Sequence, residues 1–423
     1  MSRFALTLAL LLLAACGSQS STPPSTAASP NAATSVTWKS EATVDFSNSL
    51  VGDLELMAGS LVTLSGEGTT VTGTEIIAID PVSGRTRWAD TTLNDLVPAG
   101  PSSFHYAHFL RDGDDLIALV TDGTSEKSAV IRFSVPQRRL IWQFAVNQTL
   151  FPESLAVHNS LTCFAGQRPN PQFALWVTCL DQNGRSLWTR NLEPSASGSG
   201  TEIDIAASRL MALVPTEGDP GHAVASVLDL KTGATVAVFQ VNATFGGIAM
   251  RHLATWKDDK IVAVLADGIA VFDLSSTQGQ PLRFVSLAGL FPRAPEVVVG
   301  GSTVYLKYDL PYPNGGDQPK ADVVAAFDLE SGKKLWEKTD SVDPQLERMR
   351  PMRLQGSDLL YGDHNGDVWA LAASTGAVQR HVFMAQEPLF VLDTVAPLLN
   401  GGSLIVSENF GPGPLDYRLA AIQ

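Results

Sequence analysis

An eleven-residue phrase occurs twice in this 423-residue chain and limits the fold more than any other feature. Positions 78–88 read Ala-Ile-Asp-Pro-Val-Ser-Gly-Arg-Thr-Arg-Trp, and positions 326–336 read Ala-Phe-Asp-Leu-Glu-Ser-Gly-Lys-Lys-Leu-Trp. Each phrase is a strand end, a turn of the form Asp-x-x-Ser-Gly, and a second strand that reaches a tryptophan. Aspartate accepts hydrogen bonds from turn amides, glycine tolerates positive φ, and tryptophan offers a broad packing surface. A chain that repeats this phrase repeats one small β unit.

Weaker copies fill the interval. Residues 129–142 keep Trp142 but put Ser134 in the aspartate slot; residues 175–188 keep Asp181, Gly184 and Trp188. Residues 223–239 keep Asp229, Thr232 and Gly233, with Ala237 in place of tryptophan, and residues 268–284 keep Asp273 before a longer turn. Residues 367–383 keep Thr375 and Gly376, with Ala372 in the aspartate slot. Trp88 to Trp142 is 54 residues, Trp142 to Trp188 is 46, and Trp188 to Trp336 is 148, three units with two tryptophans replaced. Units of about 40–50 residues with several strands each suit propeller blades. Further strands are expected at 60–65, 115–121, 160–165, 260–266, 302–308 and 358–361, giving four strands per unit.

The two ends read as one divided unit. Residues 36–44 begin as a tryptophan strand with nothing before it, and Trp38 lies 50 residues before Trp88. Residues 417–423 form the strand that should precede a turn, and no turn follows. The expectation is therefore an all-β, eight-bladed propeller of four-stranded antiparallel blades over residues 36–423. Its last blade is closed by the N-terminal strand, and Trp38, Trp88, Trp142, Trp188 and Trp336 dock one blade on the next.

These motifs resemble the PQQ-type, tryptophan-docking β-propeller repeat. That repeat is shared by quinoprotein alcohol dehydrogenases and the BamB lipoproteins of outer-membrane assembly. The resemblance covers about 36–423 and is sharpest at 78–88 and 326–336. In the dehydrogenases it implies a quinone at the propeller axis, a calcium ion and often a disulfide between adjacent cysteines. This chain has no Cys-Cys pair, and the calcium ligands and acidic base of those enzymes fall on no matching position. The BamB plan of lipid anchor, tether and lone propeller matches better. It implies a non-catalytic protein-binding scaffold, a monomer, with no cofactor. The alternatives are a redox propeller holding PQQ and a propeller that binds a solute or polysaccharide.

The N-terminus supports the same plan. Arg3 precedes the apolar run 4–13, too short to span a bilayer with ease, and Leu13-Ala14-Ala15-Cys16 resembles a bacterial lipoprotein box. Residues 1–15 are then a signal peptide, Cys16 the lipidated residue, and 16–35 a flexible Ser/Thr/Pro/Ala tether. Gly17 after the cysteine favours the outer membrane, facing the periplasm, by resemblance to lipoprotein sorting signals. The other reading is a plain secretory signal.

The formal net charge of −14 becomes −14 − 1 = −15 once Arg3 leaves with the signal peptide, and it argues against a nucleic-acid partner. Seven scattered histidines show no zinc spacing, and no nucleophile elbow or dinucleotide-binding glycine motif occurs. Asp363-His364-Asn365-Gly366-Asp367 begins like a calcium loop, but position 374 is serine where a bidentate glutamate is needed, so it reads as a turn. Trp176, Trp256 and Trp369 read as packing between blades.

Cys163 and Cys179 flank a loop centred on position 171, since 163 + 179 = 2 × 171. They are either bridged or two small buried thiols. Long loops at 167–173, 215–222, 309–321 and 408–416 should emerge on one face. Arg348, Arg350 and Arg353, in a connection between blades, with Tyr312 and Phe410, form the candidate partner rim.

Overall fold

A computed structural model describes residues 36–39, 54–66, 74–96, 105–122, 127–148, 150, 154–168, 174–192, 202–215, 222–242, 254–257, 260–265, 268–273, 283–286, 293–311, 319–341, 352–362, 368–382, 392–397, 403–407 and 418–422. Residues 33–423 form one compact unit. The N-terminal strand is β1 (Val36–Lys39).

The first blade runs β2 (Leu54–Met57), β3 (Ser60–Gly66), β4 (Thr74–Ile79) and β5 (Thr86–Asp90), followed by the short helix α1 (Thr92–Leu96). The second is β6 (His105–Asp112), β7 (Asp115–Asp122), β8 (Lys127–Ser134) and β9 (Arg139–Val146). The third is β10 (Leu155–His158), β11 (Leu161–Arg168), β12 (Ala174–Leu180) and β13 (Ser186–Leu192). The fourth is β14 (Glu202–Ala206), β15 (Arg209–Pro215), β16 (His222–Asp229) and β17 (Thr235–Asn242). The fifth is β18 (Ala254–Lys257), β19 (Lys260–Leu265), β20 (Gly268–Asp273) and β21 (Arg283–Ser286). The sixth is β22 (Arg293–Gly300), β23 (Thr303–Pro311), β24 (Pro319–Asp328) and β25 (Lys334–Ser341). The seventh is β26 (Met352–Gln355), β27 (Asp358–Gly362), β28 (Val368–Ala372) and β29 (Val378–Val382).

The molecule is thus an all-β propeller of four-stranded antiparallel blades. Seven blades, not eight, are built from four consecutive strands. The remaining strands β30 (Leu392–Pro397), β31 (Ser403–Ser407) and β32 (Arg418–Ile422) make a further four-stranded sheet with β1, in the order β1-β32-β31-β30. Val36, Trp38 and Lys39 lie opposite Ile422, Ala421 and Ala420. The innermost strands touch in sequence: β6 with β10, β10 with β14, β14 with β18, β18 with β22, β22 with β26, β26 with β30, and β30 with β2. Between β2 and β6, the Arg111 guanidinium donates to the Leu56 carbonyl at 2.8 Å.

Sequence alternation explains the layering. Along the inner strands β10 and β14, successive side chains face opposite sides of the blade. Leu155 packs between the second and third blades, whereas its neighbour Ala156 packs between the third and fourth. In β14, Ile203 and Ile205 pack together between the third and fourth blades, with Asp204 on the other face. The cores therefore lie between blades, not inside one layer.

Three details depart from the sequence reading. Helix α1 is an element that the strand repeat did not include. Asp90 accepts from the Thr92 amide at 2.9 Å to start it, and Leu93 is buried in the core between the first two blades. The loop expected at 309–321 is shorter, because β23 continues to Pro311 and β24 starts at Pro319. Arg353 lies inside the inner strand β26, not in the connection before it, because Met352 is already buried in the sixth-to-seventh core.

Candidate functional site

The repeated phrase is a docking device between blades. Trp142, Trp188 and Trp336 each leave the outer strand of one blade and cover the turn of the next. The Trp142 indole donates to the Gln182 carbonyl at 3.0 Å, Trp188 to Leu230 at 2.9 Å, and Trp336 to Ala373 at 2.9 Å. Under each ring lies the turn glycine of that next blade. A Cβ on Gly184 would stand 2.7 Å from the Trp142 ring, one on Gly233 2.6 Å from Trp188, and one on Gly376 2.6 Å from Trp336. These glycines have φ of 74°, 69° and 70°. Two independent requirements therefore select glycine: left-handed backbone and the space for an indole.

Trp88 meets a different partner. The second blade has no turn glycine, and Arg138 takes that slot with φ 50°. Its guanidinium lies 5.4 Å from the Trp88 ring centroid, and Phe133 packs at 6.4 Å. A cation–π contact thus replaces the bare glycine surface and offsets the strain of a left-handed arginine. Sequence reading missed this; the signal was a basic residue four places before Trp142, where the other copies have glycine. Of Trp38 only the backbone is described, in β1.

The turn aspartates act locally. Asp80 Oδ1 accepts from the amides of Val82 and Ser83 at 2.9 and 2.8 Å, while Arg87 binds its other oxygen. Asp181, Asp229 and Asp328 accept from Asn183, Thr232 and Ser331 amides at 2.8, 2.9 and 2.7 Å. The Arg87 hydrogen bond and these amides hold the Asp80 carboxyl far below the ordinary carboxylate range. Asp181, Asp229 and Asp328 are lowered too, chiefly by hydrogen bonds to Arg185, Thr232 and Ser331. Because their folded pKa values are depressed, the stability they contribute is present above the unfolded value of about 3.9. It is lost as pH falls through the folded values. Urea midpoints should therefore drop below about pH 4, and Asp229→Asn should flatten that acid limb while lowering the neutral midpoint.

Cys163 and Cys179 stand directly opposite on β11 and β12, both fully buried, and form a disulfide. It spans a sequence separation of 16, for which loop-closure entropy predicts about 3 kcal/mol. A Cys163→Ala/Cys179→Ala double variant should lose about that much in urea unfolding, without loss of the native circular dichroism at 25 °C.

Charged groups gather on the inner strands. Glu55 of β2, Asp204 of β14 and Arg353 of β26 each stand two places before the end of their strand. Arg353 lies 3.8 Å from Glu55. Asp204 is pushed up to about 6 by burial, and the Ile205 amide donates to it at 2.8 Å.

A second grouping joins the sixth and seventh blades. Tyr361, Trp369 and His381 lie in cross-strand register, with Trp369 and His381 stacked at 3.6 Å. Lys338 of β25 sits 3.6 Å from the Trp369 ring and pairs with Asp340, which also accepts from the Tyr361 hydroxyl at 3.0 Å. Trp176 is buried and donates to Gln148 Oε1 at 2.8 Å. These aromatic side chains therefore engage their own chain's neighbours. Among the described residues, no group of three or more His, Cys, Asp or Glu converges on a metal position, and no helix is long and apolar enough to cross a membrane.

Cys16, Tyr312, Arg348, Arg350, Phe410 and the turn at 363–367 lie outside the described residues, as does the side chain of Trp256. Arg353, the one described member of the candidate rim, is engaged with Glu55.

No curated protein matches the chain in sequence. Solved structures match in fold. The computationally designed Ika8 protein aligns at a TM-score of 0.57 and 12% identity, over 91% of this chain and 99% of that one. BamB from Moraxella catarrhalis aligns at 0.54 and 16%, over 88% and 96%. The quinohemoprotein alcohol dehydrogenase ADHIIG from Pseudomonas putida HK5 aligns at 0.57 and 12%, over 92% and 76%. At these identities the likeness concerns the fold alone. The family model described as outer membrane protein assembly factor BamB matches residues 174–409, more than half of the sequence. With its tryptophan-docked blades and this match, the chain belongs to the BamB family of PQQ-repeat β-propellers.

Proposed function

We propose that this chain is a lipid-anchored, non-catalytic scaffold of the bacterial cell envelope that binds another protein during outer-membrane protein assembly. The family match over 174–409 carries this reading. The Cys163–Cys179 disulfide agrees with it, since such bridges persist in oxidising compartments such as the periplasm. In this reading residues 1–15 are removed, Cys16 carries the lipid, 16–35 is the tether, and the sheet of β1 and β30–β32 counts as the eighth blade of a monomeric ring. The partner rim then comprises Arg348, Arg350, Tyr312 and Phe410.

Crosslinking in cells followed by affinity capture tests the scaffold role. Enrichment of an outer-membrane assembly protein is the expected result, and recovery of no envelope protein would sink it. Cys16→Ser should move the chain from the membrane to the soluble fraction; an unchanged membrane fraction would remove the lipid anchor.

The likeness to the quinohemoprotein dehydrogenase sustains one rival, a redox propeller. The sequence offers no adjacent cysteine pair for such a site, so no step through a quinone is derived. A quinone absorption band, or dye-linked dehydrogenase activity after incubation with PQQ and calcium, would favour the rival over the scaffold.

A further inference from the structure

Outer strands are the exposed edges of a propeller, and this ring protects them unevenly. Natural edge strands avoid unwanted pairing by being short or by carrying charge. Seven of the outer strands follow that rule: Lys39 in β1, Arg87 and Asp90 in β5, Arg139 in β9, Arg190 in β13, Arg283 in β21, four charged residues in β25 and Arg380 in β29. Strand β17 does not. Its eight residues, Thr-Val-Ala-Val-Phe-Gln-Val-Asn, carry no charge and no proline.

Among the described residues, it is the one outer strand with two exposed large apolar side chains. Val236 is 38% exposed and Val238 47%, on one face of the strand. On the other face Phe239 is buried and packs against Phe272 of the fifth blade at 5.2 Å. The docking tryptophan is absent here, with Ala237 in its slot. Strand β17 is the last in its sheet, and among the described residues no strand pairs with its outer edge.

We propose that β17 is a strand-acceptor edge that takes an extended segment of another protein as a fifth strand of the fourth blade. Main-chain hydrogen bonds to the unpaired edge hold the segment, and alternate side chains set its preference. Apolar residues at every second position pack beside Val236 and Val238, as cross-strand neighbours do. The charge of the whole chain selects against a second copy: two molecules without residues 1–15, each of −14 − 1 = −15, repel, whereas basic flanks on a foreign segment are attracted. The favoured occupant is therefore an uncharged, alternating apolar strand with lysine or arginine at its ends. This deepens the scaffold reading by giving the chemistry of a partner.

The test uses the folded chain without residues 1–15 and a fluorescein-labelled peptide with three Thr-Val repeats between paired lysines. Anisotropy should show saturable binding. Methylating the peptide amides along one edge should weaken it at least tenfold, because it removes the main-chain donors. Val238→Lys should do the same, and Leu187→Lys on β13 should leave it unchanged. Should Val238→Lys perturb folding, the milder Val236→Thr/Val238→Thr variant should weaken binding at least threefold with an unchanged melting profile.

Absence of saturation up to ~1 mM peptide, or equal binding of the methylated peptide, would overturn the proposal. Sedimentation of the chain alone should show a monomer. A dimer dispersed by Val238→Lys would overturn the foreign-strand assignment in favour of self-pairing. Failure of the peptide would leave in-cell capture of an envelope partner unaffected, so the two readings fail separately.

Discussion

A chain lacking residues 36–44 loses about 3 kcal/mol of stability and unfolds at lower urea, whereas a chain lacking 17–35 keeps the parent midpoint. The estimate rests on three paired positions between β1 and β32, each net hydrogen bond contributing about 1 kcal/mol. The consequence reaches beyond those bonds. β30 touches both β2 and β26, so the sheet that β1 completes lies between the first and seventh blades. Without β1, β32 becomes an unpaired outer edge, and cleavage of the C-terminal strands by a protease should accelerate. Residues 17–35 are the tether expected from the sequence, and the four strands of that sheet are β1, β32, β31 and β30. Chemical denaturation of both truncations checks this directly. Equal midpoints would remove the closure of the ring by β1.

Trp188→Ala lowers stability by about 3–5 kcal/mol, in the range for deleting a buried aromatic side chain. The ring is 8% exposed, donates to Leu230, and belongs to the core between the third and fourth blades. Gly233→Ala costs about 2–4 kcal/mol for two reasons: alanine at φ 69° is strained, and its Cβ would lie 2.6 Å from the Trp188 ring. The double variant distinguishes them. With the indole gone, the Cβ collision vanishes and only the backbone strain of about 1–2 kcal/mol remains. The two substitutions should therefore be less than additive by at least 1 kcal/mol. Strict additivity in urea unfolding would separate the glycine from the tryptophan and remove the docking account.

Local features were the legible ones. The Asp-x-x-Ser-Gly turn is a few residues long, and its hydrogen bonds run within it, as at Asp328, whose carboxylate accepts from the Ser331 amide and hydroxyl. Strands such as β3, β7, β19 and β27 follow directly from apolar alternation bounded by turns. The cysteine pairing is also local, because β11 and β12 run in unbroken antiparallel register around position 171. Arg138 was not legible as a turn residue, since it stands where the other copies have glycine and its guanidinium contact is with the Trp88 ring of another blade. The place of Arg353 in an inner strand followed from the burial of Met352 beside it, and its ionic partner Glu55 lies almost 300 residues earlier in sequence.

The sequence by itself determined the repeat, its turn chemistry, its four-strand content and the splitting of one sheet between the chain ends. Each of these is written in residues that interact within one unit or by simple strand alternation. Only the tertiary structure decided which indole meets which turn, that Asp204 is desolvated to a pKa of about 6, and that β17 is the uncharged edge with Val236 and Val238 exposed. Those properties depend on burial and on neighbours from other blades, which a linear pattern does not encode until the ring brings them together.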